Sequence, residues 1–352
     1  MAVLMDYLTM AAQEGASDLF LVPGAPVTMK LDGLFRPLEE EKIMPSRGEA
    51  LIREIYAMAQ REIAPLLSTG DDDFSFSVSG LARFRVNAYR QRGSLAAVVR
   101  VVAFRVPDWQ TLGIPVSVME LAELDSGMVL VTGVAGCGKS TTLACIVDRI
   151  NSSRACHIIT LEDPIEYLHR NNKSIISQRE IAVDTRDYHS ALRACLRQAP
   201  DVIQLGEMRD QETIRTAMTA AETGHLLLAT LHTRGAVNTI DRIIDEFPAH
   251  QQEQVRMQLS AVLRCVVSQQ LVPDVDGELV PVFEILHTNS AVRSLIRDSK
   301  THQLSAVIAA GSSEGMRSMD QSLYDLYKAG RITRSTALEH AENPDGLRRK
   351  MG

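Results

Sequence analysis

GVAGCGKS, residues 133–140, follows the apolar stretch Met128–Val131 and precedes a helical pattern near 140–150. It matches G-x-x-x-x-G-K-[ST], a phosphate-binding loop, in the strand–loop–helix setting that this motif requires. Only a glycine-rich turn lets successive backbone N–H groups converge on a phosphate oxygen, and the following helix N-terminus adds its positive dipole. Gly133, Gly136 and Gly138 supply that freedom, with Val134, Ala135 and Cys137 between them. Lys139 is placed to reach β- and γ-phosphates, and Ser140, next to Thr141, offers a hydroxyl to Mg²⁺. The loop therefore points to nucleotide binding, and by itself to nothing further.

On its C-terminal side, apolar segments Met128–Val131, His157–Leu161, Val202–Leu205 and Leu226–Leu231 alternate with helical stretches near 140–150, 187–198 and 211–222. Such alternation predicts βαβ units and a mostly parallel sheet, an α/β fold. Beyond Pro248 the pattern turns helical, near 249–264, 290–297, 319–328 and 334–341. NPDGLRRKMG at 343–352 reads as a frayed tail.

On its N-terminal side, the pattern is that of a smaller mixed module. Leu4, Leu8 and Ala11, with Tyr7 beside them, form one face of a short helix that should stop at Gly15. Asp18–Val22 and Val27–Leu31 are strand-like, with Pro23-Gly24 between them and a tight Asp32-Gly33 turn before Leu34-Phe35. A helix over Arg47–Gln60 would bury Leu51, Ile52, Ile55 and Met58. Strands near Phe74–Val78, Arg83–Tyr89 and Leu95–Val102 follow, joined at Ser79-Gly80 and Arg92-Gly93. PDWQTLGIP, residues 107–115, interrupts any regular element and predicts a linker between an N-terminal domain, 1–106, and a C-terminal domain, 116–352.

Composition sets outer bounds. At 352 residues, 45% hydrophobic and 23% charged, the chain reads as soluble and long enough for two cores. No apolar run reaches membrane-spanning length, and MAVLMDYLTM lacks the basic start of an export signal. The five cysteines are scattered without a C-x-x-C pair, which disfavours zinc or a disulfide framework and suits a reducing cytoplasm. A net charge of −7 argues against a surface built throughout for nucleic acid, leaving room for a local basic track.

Hydrolysis needs carboxylates at the C-terminal ends of strands neighbouring the loop. Two are in position: Glu162, opening Glu162-Asp163-Pro164 after HIITL, and Glu207, after VIQL and Gly206. His232-Thr233 ends the LLLATL strand on the crevice side, where a γ-phosphate could be sensed. His225 precedes that strand, and structural and functional readings of it both stay open. Gln204 stands where such strands are apolar, for no reason visible in the sequence.

ITLEDPIEYLH (159–169), DVIQLGEMRD (201–210) and TGHLLLATLHT (223–233) resemble the Asp box, the Walker B ending in Gly-Glu, and the His box of the secretion ATPases. Order and spacing match the hexameric motors of type II secretion and type IV pili. AVRSLIRDSK (291–300) is similar to the retraction motif of PilT-type ATPases, as are the short N-terminal region and the missing four-cysteine insert. The resemblance implies a RecA-like P-loop NTPase core preceded by a smaller PAS-like α+β domain, assembled as a homo-hexamer. It implies Mg²⁺-dependent ATP hydrolysis that powers pilus retraction through an inner-membrane platform protein, with pilin as the indirect load. Cytoplasmic residence at the pilus base, without membrane insertion or nucleic acid, goes with it.

By the same resemblance Glu162 is the general base or a water-orienting carboxylate, and Glu207, through water, together with Ser140 holds Mg²⁺. Arg85 and Arg100 reach the γ-phosphate, often across a subunit boundary, where a guanidinium fork neutralises transition-state charge. Accessory retraction ATPases, assembly motors, a nucleic-acid translocase and a non-hydrolysing ring subunit are the alternatives. The family loop is usually GPTGSGKS. Val134, Ala135 and Cys137 keep its backbone cradle but lose a proline and a hydroxyl, so rate should suffer more than affinity, and Cys137 should confer sensitivity to thiol reagents.

Overall fold

The computed structural model describes residues 2–31, 33–102 and 106–352. Asp32 of the expected turn and residues 103–105 of the expected N-terminal domain lie outside the described residues. The chain divides into two compact units, one holding the N-terminal residues with Glu166–Leu168, the other starting at Val106.

The first unit runs α1 (Ala2–Glu14), β1 (Asp18–Leu21), β2 (Pro26–Leu31), β3 (Leu34–Lys42), α2 (Pro45–Met58), α3 (Ala64–Thr69), β4 (Asp71–Val78), β5 (Ala82–Gln91) and β6 (Ser94–Val102). Its strands form one antiparallel sheet, ordered β3-β2-β1-β6-β5-β4. Strict alternation explains its two faces. Phe84, Val86 and Ala88 of β5 join Leu4, Leu8, Leu19, Ile52 and Ile55 in the core, while Arg83, Arg85 and Asn87 point the other way. Two features escaped the pattern. β3 continues to Lys42 through residues whose acidic character hides it, because it is an exposed sheet edge. α3 is short, but Pro65 in its first turn and Gly70 in the left-handed region after it are ordinary start and stop signals.

The second unit opens with α4 (Val116–Met119), β7 (Gly127–Thr132), α5 (Lys139–Ser153), β8 (His157–Glu162), β9 (Ile175–Glu180), α6 (Tyr188–Cys195), β10 (Val202–Leu205), α7 (Gln211–Glu222), β11 (Leu226–Leu231), α8 (Ala236–Asp245) and α9 (Ala249–Val262). β12 (Leu263–Pro273), β13 (Leu279–His287), α10 (Ser290–Arg297), α11 (Leu304–Ala310), α12 (Met319–Lys328), α13 (Arg334–Glu339) and α14 (Pro344–Met351) complete it. The sheet order is β13-β12-β7-β11-β10-β8-β9, parallel throughout except between β12 and β13. One face packs Ile159, Leu161, Ile203, Leu205 and Leu227, the other Val129, Val131, Ile158, Val202 and Leu228, so both faces are covered. This is an α/β fold with a mostly parallel sheet.

Several C-terminal expectations are corrected. The helices expected after Pro248 stand as α9, α10, α12 and α13, but two strands among them were not foreseen: β12 and β13 form a long hairpin on the sheet edge. β12 was hidden because α9 passes into it at Val262-Leu263 with no turn residue between. α8, likewise unforeseen, starts directly after Gly235. The expected frayed tail is α14, where the Asn343 side chain accepts from the Gly346 N–H, Pro344 takes the first turn and Leu347 is 2% exposed. Residues 107–115 lie against the second unit, with Ile114 in its core and Trp109 and Leu112 packed beside it. No described helix is long and apolar enough to cross a membrane.

Candidate active site

All six residues of β7 are buried, which fixes where the chain emerges at Thr132. A Cβ on Gly133 would stand 2.3 Å from the Gln269 carbonyl oxygen and 2.6 Å from Cys137 Sγ. Gly138 has φ +89, and a Cβ there would meet Gln269 Nε2 at 2.8 Å. Both positions require glycine, and both are pressed by Gln269 of β12, whose Oε1 accepts from Thr142 Oγ1 at 2.8 Å. Between them Val134, Ala135 and Gly136 are exposed, while Cys137 points inward at 2% exposure. Burial pushes the Cys137 thiol up, with Lys139 opposing it. The expected reagent sensitivity therefore has neither an exposed sulfur nor a thiolate to act through.

Lys139 starts α5 and is 8% exposed, its Nζ donating to the carbonyls of Gly133 at 2.9 Å and Val134 at 3.0 Å. Burial lowers its pKa and the field of Glu207, among others, works the other way, which puts that carboxylate within range of the loop lysine. Ser140 and Thr141 follow on the first turn, Ser140 exposed.

The carboxylates stand at strand ends, as expected of groups facing a crevice. Glu162, the last residue of β8 and 8% exposed, accepts from Thr160 Oγ1 at 2.6 Å and from Gln178 Nε2 at 3.2 Å. Glu207, also 8% exposed, pairs with Arg209 Nη2 at 2.6 Å and with His232 Nε2 at 3.2 Å. Gly206 lets the two strand ends approach, since a Cβ there would meet the Tyr188 hydroxyl at 2.6 Å and the Leu161 carbonyl at 3.1 Å. Tyr188, which sequence reasoning missed, has its pKa raised first by burial and then by Glu207, Asp163 and Glu162. Its phenol is a proton-bearing group among three carboxylates, signalled beforehand only by its place one residue after the Asp187 helix cap.

The second unit by itself thus brings together Lys139, Ser140, Glu162, Glu207 and His232. His225 sits at the far end of β11, its Nδ1 2.9 Å from the Ala220 carbonyl, and serves the α7–β11 turn. Gln204 is buried on β10 opposite Thr160 and Leu228, and its Oε1 has no hydrogen-bond partner. Nothing in the structure explains it.

Among the described residues no three His, Cys, Asp or Glu side chains form a ready metal cage. One buried carboxylate and one exposed hydroxyl beside a phosphate loop fit Mg²⁺, which keeps waters and phosphate oxygens as most of its ligands. Beside the loop lies a cavity of about 380 Å³ lined by Gln110, Leu112, Gly138, Thr141, Thr142 and Arg331, of a size for a nucleoside. It was missed because 107–115 read as linker.

Arg85 and Arg100 belong to the N-terminal unit. They are cross-strand partners on β5 and β6, each tied to a carboxylate: Arg85 Nη2 to Asp73 Oδ2 at 2.9 Å, Arg100 Nε to Asp18 Oδ1 at 3.0 Å. In α10, AVRSLIRDSK buries Val292 and Ile296 and packs Leu295 against the core, and Asn289 caps it.

Residues 1–281 match the family model described as type II/IV secretion system protein. The type IV pilus retraction ATPase PilT of Pseudomonas aeruginosa is 43% identical over 98% of this chain and 99% of its own length. The type IV pilus ATPase PilU of the same organism is 39% identical over 97% of this chain and 89% of its own. A crystal structure of the pilus retraction motor PilT with bound ADP superposes with a TM-score of 0.89 at 44% identity, covering 98% of both chains.

Proposed function

This chain belongs to the type II/IV secretion system protein family, and from that membership we propose that it is an ATPase motor driving type IV pilus retraction and twitching motility. Its likeness to a retraction motor over nearly the whole length of both chains is the observation that carries this reading.

In the mechanism that fits the geometry, the backbone N–H groups of residues 133–138 and Lys139 hold the phosphates of ATP, the Lys139 ammonium exchanging loop carbonyls for phosphate oxygens. Mg²⁺, held through Ser140 and through water on Glu207, would neutralise charge on the β- and γ-phosphates. Glu162, steadied by Thr160 and Gln178, orients a water and takes its proton as oxygen attacks the γ-phosphorus. The bond to the β–γ bridging oxygen breaks, and ADP leaves with that electron pair. Glu207 and His232 form a pair that responds to the γ-phosphate. Arg85 and Arg100 supply positive charge from the N-terminal domain of a neighbouring copy in a homo-hexameric ring. An inner-membrane platform protein on the cytoplasmic side receives the motion and pilin is the load; the net charge of −7 supports neither DNA nor RNA as track.

Deleting the gene tests the reading directly. Hyperpiliated, immobile cells are expected; bald cells mean an assembly motor. Comparable identity to the type IV pilus ATPase PilU favours one second reading, an accessory role, under which the deletion leaves twitching largely intact. Chelating Mg²⁺ should abolish phosphate release, and the purified chain should run as a hexamer.

A further inference from the structure

Glu284 of β13 is 4% exposed. Its carboxylate accepts from the first N–H of two helices, Ala236 of α8 at 2.7 Å and Met319 of α12. Burial raises the Glu284 pKa first, but the two helix N-termini work the other way and favour its ionised form, so Glu284 is the acceptor of the group. A second carboxyl, that of Glu342 between α13 and α14, approaches it. Oε1 of Glu342 and Oε1 of Glu284 lie 3.3 and 3.7 Å from where a Cβ on Gly235 would stand, so both converge on the backbone where the His232 loop enters α8.

Two carboxyl groups can bond only when one keeps its proton. The lone pairs of Glu284 already face N–H donors, which leaves the proton on Glu342. Burial first, then the charges of Glu284 and Asp320, push Glu342 up to about 7. Asp320 also accepts from the Glu342 and Asn343 N–H groups at 2.7 and 3.0 Å, which holds Glu342 in place from α12. A cavity of about 680 Å³, lined among others by Val134, Arg234, Asn238 and His340, opens beside the pair. The charged and titratable groups facing it are thus Asp320 from α12, Glu339 and His340 from α13 and its end, and Arg234 from the His232 loop. Glu342 is exposed as a residue while its Oε1 end turns in toward Gly235, so desolvation acts on the carboxyl and solvent still reaches it.

We propose that the Glu342–Glu284 pair is a proton-operated latch that ties the C-terminal helices to Gly235 and Ala236, behind the loop carrying His232. With the proton present the two carboxyls can share it in a hydrogen bond; without it two anions repel across the same gap. The raised folded-state value of Glu342 sets the sign: the latch's stability is complete below the ordinary glutamate range near 4.5 and is lost as pH rises through about 7. The latch therefore loosens as pH rises, and acidification tightens it.

The test compares the full-length wild-type chain with Glu342→Gln and Glu342→Ala at matched pH between about 5.5 and 8.5. It uses hydrogen exchange of residues 235–240 and thermal unfolding. An amide at 342 donates to Glu284 at every pH, so Glu342→Gln should keep these amides protected while the wild type loses about tenfold protection relative to it by pH 8. At that pH its Tm should be higher by roughly 2 °C, with the gap closing near pH 5.5. Glu342→Ala should be unprotected at both ends of the range. Equal pH dependence in wild type and Glu342→Gln, or full protection in Glu342→Ala, overturns the latch. Neither measurement uses ATP or pili, so the result is independent of the motor assignment.

Discussion

The crevice end of the parallel sheet and the open face of the N-terminal sheet both carry charge, but they hold it in opposite ways. In the parallel sheet helices cover both faces, so Glu162, Glu207 and His232 can reach solvent only past the strand ends. Glu162 and Glu207 are each 8% exposed and fixed by short hydrogen bonds. In the antiparallel sheet one face is open, and Arg85 and Arg100 sit mid-strand, side by side, with side chains 37% and 63% exposed. Like charges at partner positions repel, and Asp73 and Asp18 offset that repulsion. An exposed pair such as Arg85–Asp73 contributes about 0–1 kcal/mol, so an anion with more charge could draw Arg85 away at little cost; Asp18 is itself buried, so drawing Arg100 away costs more. One region is pre-arranged for chemistry; the other is available to it.

The contrast can be broken most severely at the crevice. Lys139→Ala should lower phosphate release by about 10³-fold and weaken nucleotide binding as well, because it removes a donor aimed at developing charge. Near-normal turnover would mean that the crevice is not where hydrolysis occurs. Glu162→Gln keeps the shape and one acceptor. ATP binding, followed by titration with a fluorescent analogue, should stay within a few-fold while turnover falls by roughly 10²–10³.

The mobile side of the contrast is tested next. Arg100→Ala should cost about 10–100-fold in turnover, and mixing it with Lys139→Ala subunits should restore part of the activity if the arginine serves a neighbour's site. No recovery at any mixing ratio would return Arg100 to a surface role. The smallest effect belongs to the interior. Gln204→Leu removes a buried oxygen without a partner and should stabilise the chain by about 1 kcal/mol in urea unfolding, with turnover unchanged.

Legibility followed physical locality. Parallel strands buried on both faces read as continuous apolar runs, and the loop at 133–140 names its own backbone geometry, so β7, β8, β10 and β11 and the ends that carry Glu162 and Glu207 were visible. β12 was not, because helix-to-strand passage at Val262-Leu263 carries no punctuation and because Gln269 and Gln270 break its apolar pattern. α14 was misread because a polar tail and a polar capped helix differ by one buried residue, Leu347. Tyr188 was beyond reach, since its meaning depends on Gly206 and three carboxylates brought together by different strands.

Gln269 constrains how this chain can evolve. Its carbonyl occupies the space that a side chain at 133 would need, its amide nitrogen the space at 138, and its oxygen holds Thr142. The carbonyl is backbone that no substitution at 269 removes, so position 133 is closed whatever side chain stands at 269, whereas position 138 meets only the flexible end of the Gln269 side chain and is held to glycine by its own φ of +89. In a mutational library position 133 should therefore accept no side chain in any background, position 138 should stay glycine for its backbone, and the loop's freedom to diversify is confined to the exposed positions 134 and 135.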